Sequence, residues 1–93
     1  MKIIEREIPK RGDYYRHFKG KVYVIIDGEA ENCTNNADHS ERFVVYRADE
    51  NSSKIYIREQ SEFLSPVDKE KYPDAKQHWR FEKDENNQRY LAL

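Results

Sequence analysis

Residues 13–26 read DYYRHFKGKVYVII, and the architecture follows from how this stretch divides. Tyr14 to Phe18 and Lys21 to Asp27 are two runs rich in aromatic and β-branched residues, the types that suit a pleated, half-buried surface. Lys19 and Gly20 stand between them, and a glycine supplies at no steric cost the positive φ that a tight reversal needs. The stretch predicts a hairpin. In its second arm Val22, Val24 and Ile26 alternate with Tyr23 and Ile25, so both faces of that strand are apolar. A strand covered on both sides belongs in the middle of a sheet.

Moving downstream, residues 28–40 (GEAENCTNNADHS) predict a polar loop, long by the usual standard for connections. Arg42 to Ala48 predicts a third strand, residues 49–53 a turn, and Lys54 to Arg58 a fourth strand. Residues 59–65 predict a turn or single helical turn that brings Phe63 and Leu64 over one end of the core. Ser65-Pro66 has the form of an N-cap followed by a first helical residue, predicting a short helical turn near residues 66–71. Tyr72-Pro73-Asp74 ends it. In His78 to Lys83, Trp79 and Phe81 alternate with Arg80 and Glu82, the pattern of a fifth strand. Residues 84–87 read as a turn, and 90–93 as a returning edge strand or a frayed end. Upstream, residues 1–10 form a short strand or arm, and Arg11-Gly12-Asp13 is a turn by composition. Short strands at this spacing predict a mostly β, single-domain chain over residues 1–93, arranged as an antiparallel meander or small barrel.

Charged residues make up 38% of the chain, so the core is thin. Yet the apolar residues cluster as VYVII, FVVY, IYI and FL, which a disordered chain of this charge content would not do. Residues 1–21 hold seven Lys and Arg against Glu5, Glu7 and Asp13, a net +4, and residues 22–93 carry a net −5. Such asymmetry marks either a basic docking face or ordinary solvated surface. Cys33 is the single cysteine, so no intrachain disulfide framework exists. The opening MKIIEREIPKRGD has no apolar stretch of signal-peptide type. The longest apolar run, Val22 to Ile26, is five residues, far short of a membrane span. A cytoplasmic chain without membrane contact is the expectation.

The motifs Tyr15-Arg16-His17-Phe18-Lys19-Gly20, His39-Ser40-Glu41 and Val44-Val45-Tyr46, followed by Arg58 and Phe63, resemble a small bacterial domain of unknown function, the one numbered 1653. The stretch FLSPVDKEKYPD with the later WRFEK resembles that family's tail, so the likeness runs over about residues 13–83. The chain departs from the family pattern at Ala48-Asp49-Glu50, where Leu-Tyr-Gly is usual, and at Glu59, where proline is usual. The resemblance implies an SH3-like antiparallel β-barrel and implies no activity.

The sharpest constellation of functional side chains is Tyr15, Arg16, His17, Phe18 and Lys19 with Tyr46, Tyr56 and Arg58. With Ile55 and Ile57 taken as core residues, Tyr56 and Arg58 point outward and form a shallow aromatic groove beside Tyr46. Grooves of this kind stack bases or pack peptides. The competing reading is that the tyrosines roof a thin core with their rings and keep their hydroxyls wet. Cys33, His39 and His78 match no zinc spacing, and no carboxylate or nucleophile stands at a diagnostic distance from His17. No metal and no cofactor is expected.

The leading expectation is a non-enzymatic binding module that presents Tyr15, Arg16, His17, Lys19, Tyr46, Tyr56 and Arg58 to a protein or peptide. A module for RNA or single-stranded nucleic acid is the alternative, using Arg16, Lys19, Tyr46, Tyr56 and Arg58. A small-molecule enzyme with His17 and Arg58 at a cleft is the third reading. Exposed edge strands in so small a sheet are compatible with a monomer or a weak homodimer.

Overall fold

Five antiparallel strands form one sheet in the computed structural model, which describes residues 6–36, 39–48 and 53–85. They are β1 (Tyr14–His17), β2 (Val22–Glu31), β3 (Arg42–Ala48), β4 (Ile55–Glu59) and β5 (Phe81–Lys83), with the single turn of helix α1 (Gln60–Phe63) after β4. The order across the sheet is β4-β3-β2-β1-β5. β2 is thus the central strand, as its two apolar faces predict. The β1–β2 hairpin turns at Gly20, whose φ is 109°. There the Gly20 N–H donates to the His17 carbonyl at 2.7 Å and the His17 N–H to the Lys21 carbonyl at 2.8 Å.

Three expectations are corrected. The loop expected from residue 28 begins at Asn32, because β2 runs on to Glu31. Its register against β3 shifts between Ile25 and Asp27 and again between Asp27 and Ala30. Bulges of this kind let a strand without clean alternation go on pairing while it bends, and Asp27 steadies the bend by accepting the Glu29 N–H at 2.8 Å. The helical turn expected near residues 66–71 is not a helix. Backbone on either side of Pro66 bonds instead to the segment before β5, Val67 N–H to the His78 carbonyl and Arg80 N–H to the Ser65 carbonyl. One α-type hydrogen bond follows, from the Tyr72 N–H to the Asp68 carbonyl at 2.8 Å, with Asp68 capping it through the Glu70 N–H.

The third correction concerns closure. β4 and β5 are the two edges of the sheet, so among the described residues the sheet is open, where the resemblance implies a closed SH3-like barrel. It curls so far, however, that the Arg58 guanidinium of one edge lies 5.5 Å from the Phe81 ring of the other. Side chains fill the gap that backbone hydrogen bonds would close in a barrel. Phe63 of α1 stacks on Phe81 with centroids 4.0 Å apart and an 8° interplanar angle, and both rings are fully buried. Tyr15, Ile25, Val44 and Tyr46 complete this core, and Leu64 packs on it. Phe63 and Leu64 therefore cap the core as expected.

The N-terminal arm crosses this assembly. Arg6 donates to the carbonyls of Leu64 at 3.1 Å and Phe81 at 2.9 Å, with its guanidinium 4.3 Å from the Trp79 ring centroid. Pro9 is buried where it crosses Gly28, and a Cβ at Gly28 would overlap the Pro9 carbonyl. The turn at Arg11-Gly12-Asp13 is closed by the Asp13 N–H on the Lys10 carbonyl at 2.9 Å. The returning strand expected over 90–93 and most of the turn over 49–53 fall outside the described residues. Among the described residues no helix is long and apolar enough to cross a membrane.

Candidate functional site

The register of β4 against β3 decides which of its side chains meet the core. Tyr46 pairs with Tyr56 and Val44 with Arg58, and directly opposed residues share a face. Because Val44 and Tyr46 are buried, Tyr56 and Arg58 turn inward with them. Ile55 and Ile57 follow Arg47 and Val45 to the other face, where each is 65% exposed. This reverses the assignment expected from sequence. The core on this side is built of rings, and Tyr56, still 39% exposed, and the stem of Arg58 border it where the two isoleucines were expected.

Four strands send a side chain to the Phe81 ring. His17 of β1 meets it edge-on at 4.9 Å, Tyr23 of β2 at 6.0 Å, Tyr46 of β3 at 5.6 Å, and Arg58 of β4 at 5.5 Å. Tyr56 closes the outer rim, 6.0 Å from Tyr23 and 5.7 Å from Tyr46. Arg58 is fixed from two sides, donating from Nε to the Tyr46 hydroxyl at 3.1 Å and pairing with Glu62 at 2.6 Å. Burial works to lower its pKa, but the hydrogen bonds and charge interactions with Tyr46 and Glu62 together outweigh that and leave it raised.

His17 is half-buried and held in one tautomer. Its Nδ1 accepts the Lys19 backbone N–H at 3.1 Å, which places the ring proton on Nε2. Burial, reinforced by the positive charges of Arg58, Arg80 and Lys19, lowers its pKa to about 4. At neutral pH His17 is therefore an uncharged N–H donor, far from the range a general base needs. The ring chain continues past it, from His17 to Phe18 at 4.5 Å and from Phe18 to Tyr72 at 4.9 Å. Beside Phe18 and Tyr72 lies a surface depression of about 250 Å³, lined also by Lys71, Pro73 and Asp74.

Lys19 borders this ring chain, and the charge of Arg80 acts on His17. Lys19 Nζ lies 5.1 Å from the Tyr72 ring centroid and 5.9 Å from that of Phe18. Arg80 donates from Nε to the Ser65 hydroxyl at 3.3 Å. Neither forms an ion pair with a carboxylate among the described residues.

The residues singled out in the sequence divide accordingly. His17, Tyr46, Tyr56 and Arg58 come together, and Lys19 stands at the far end of the same ring chain. Tyr15 lies beneath them, 2% exposed and edge-on to Phe63 at 5.4 Å; burial, with Asp13 adding to it, pushes its hydroxyl pKa up to about 12. Arg16 lies on the opposite face of β1 and pairs at 2.7 Å with Asp84, whose side chain is 7% exposed. Sequence reasoning passed over Tyr23, Tyr72, Arg80 and above all Phe81. The alternation of residues 78–83 marked Phe81 as apolar and inward, but nothing local marked it as the meeting point of four strands. Glu41, from the His39-Ser40-Glu41 motif, accepts the Ser61 N–H at 3.4 Å and so ties its loop to α1. Cys33 is exposed, and no group of three or more His, Cys, Asp or Glu among the described residues is placed to hold a metal.

A curled, open antiparallel sheet with an aromatic seam and a basic border defines the class of domain. Within that class the chain belongs to the family described as proteins of unknown function numbered 1653 (DUF1653), whose profile matches residues 13–83. No curated protein and no solved structure matches the chain.

Proposed function

We propose that the domain is a non-enzymatic binding module and that the face carrying His17, Phe18, Lys19, Tyr56, Arg58 and Arg80 receives a protein or peptide segment that is both acidic and aromatic. The observation that carries this reading is the convergence of side chains from four strands on Phe81, with Lys19 at the border and the charge of Arg80 acting on His17, neither cation having a carboxylate partner among the described residues. Rings at the rim supply apolar area and edge-to-face geometry for an aromatic side chain. Lys19, Arg80 and the Nε2–H of His17 supply donors for carboxylates.

Titration of the ¹⁵N-labelled chain with a short Glu-Phe repeat peptide, a Lys-Phe repeat peptide and oligothymidylate tests the reading. The acidic aromatic peptide is expected to shift the amides of residues 17–19, 56–58 and 80, and the basic one to leave them unmoved. Replacing both cations, Lys19→Glu with Arg80→Glu, is expected to abolish the shifts. Preference for oligothymidylate at the same amides would transfer the site to the nucleic-acid alternative. Silence with all three probes would overturn the binding-module reading.

A further inference from the structure

The outer face and free edge of β4 carry an inference that does not require the proposed ligand, though Tyr56 and Arg58 take part in both. Ile55 and Ile57 are the most exposed of the large apolar side chains in the described residues, at 65% each. β4 is also last in the strand order, so no strand among the described residues pairs with its outer edge. Its five residues, Ile55–Glu59, contain neither proline nor glycine, and its pairing with β3 runs through Arg47↔Ile55 and Phe43↔Glu59 without a register shift. A straight edge with exposed apolar residues is a template for a further strand. Inward-pointing charge is one of the devices that discourage such pairing, but here the inward Arg58 is paired with Glu62 at 2.6 Å.

We infer that the strand seated on this edge is β4 of a second copy of the chain, antiparallel and related by a two-fold axis through Ile57. Side chains opposed across an antiparallel pair share a face, so the axis must pass through a residue and not between two. Ile57 is the middle residue of β4, and an axis there sets all five residues against their counterparts. It opposes Ile57 to itself, Tyr56 to Arg58 of the second copy, and Ile55 to Glu59. Lys54 beyond the strand falls opposite Gln60. An axis through Tyr56 sets Lys54 against Arg58, and one through Arg58 sets that arginine against itself. The Ile57 register thus uses the whole strand, sets no like charges directly opposite each other, and gives each Arg58 an aromatic neighbour on the other copy.

The assembly is a continuous ten-stranded sheet, closed by its symmetry so that no β4 edge is left over. The paired Ile57 side chains adjoin a cleft of about 330 Å³ lined by Ala30, Cys33, Phe43 and Ile57 itself. A five-residue edge buries far less than the roughly 1,200–2,000 Å² of a standard interface, so the dimer forms in a concentration-dependent way.

Sedimentation equilibrium of the full chain from roughly 10 µM to 1 mM, the range of dissociation constants such a small interface supports, tests the inference. The average mass is expected to rise from monomer towards twice that value. Ile57→Lys opposes two ammonium groups and is expected to weaken association at least about tenfold. Cysteine variants in a Cys33→Ser background test the register separately. Ile57→Cys is expected to cross-link to its own copy under mild oxidation. Ile55→Cys is not, because its counterpart lies four residues along the strand, beyond disulfide reach. A mass that stays monomeric over the whole range overturns the dimer, as does an Ile57→Lys variant that associates like the parent. Faster cross-linking through Ile55→Cys than through Ile57→Cys overturns the register.

Discussion

At the β5 edge of the sheet, Arg6 lies over Trp79 and donates to the Phe81 carbonyl, Pro66 bridges to Trp79, and Asp84 pairs with Arg16. At the β4 edge, Ile55 and Ile57 stand in solvent and no strand follows among the described residues. One edge is finished by segments more than fifty residues apart in the chain, while the other is left as a bare strand. The difference teaches how an open sheet of this size holds its curl. A barrel fastens its first strand to its last with backbone hydrogen bonds; here the fastening is the ring stack of Phe63 on Phe81, with Arg58 reaching across. The finished edge locks that stack in place. The bare edge contributes its inward face to the seam and keeps its outward face available.

The comparison breaks most completely at Phe81. Phe81→Ala removes the ring shared by both edges and is expected to cost about 3–5 kcal/mol, read as a lower urea midpoint. A loss near 1 kcal/mol would mean that the seam does not carry the curl. Arg6→Ala strips the finished edge of two hydrogen bonds and a cation–π contact and is expected to cost roughly 1–3 kcal/mol, with faster hydrogen exchange at residues 79–83 than at 55–59.

The next effect is pH-dependent. His17 has a folded pKa of about 4 against an ordinary 6.5, so between these values the unfolded chain binds a proton that the folded chain refuses. Its contribution makes stability fall as pH drops from about 6.5 to 4 and adds no further slope below that. His17→Gln is expected to flatten this part of the profile, measured as urea midpoints at pH 7 and pH 5. An unchanged slope would mean that His17 titrates normally. The smallest effect belongs to the bare edge. Ile55→Thr is expected to change monomer stability by no more than about 0.5 kcal/mol, measured in dilute solution, and a larger loss would mean that Ile55 is covered.

Much of the fold was legible because period-two alternation is a local signal. It located the hairpin, placed β2 at the centre and found β3, β4 and Phe81. Alternation says that two faces differ, however, and not which one is inside. For β4 the familiar preference for burying isoleucine pointed the wrong way, since the partner face was already filled by Tyr46, Phe63 and Phe81. The helical turn assigned to Ser65-Pro66 failed for a related reason. Its cap signal was sound as chemistry, but the backbone there is engaged by His78 and Arg80, and the capping role passed to Asp68.

Hydrophobic spacing, turn chemistry and the family motifs along residues 13–83 were sufficient for a small antiparallel domain with Gly20 at a turn, β2 at its centre, and Phe63 and Leu64 over the core. Each of these depends on neighbours a few residues away, and such interactions are written in order along the chain. The open seam, the inward turn of Tyr56 and Arg58, the removal of Arg16 to a clasp with Asp84 and the gathering of four strands on Phe81 depend on contacts between residues dozens of positions apart. Those are settled by how a curled sheet can pack its rings, a property of the assembled volume that no local stretch of residues contains.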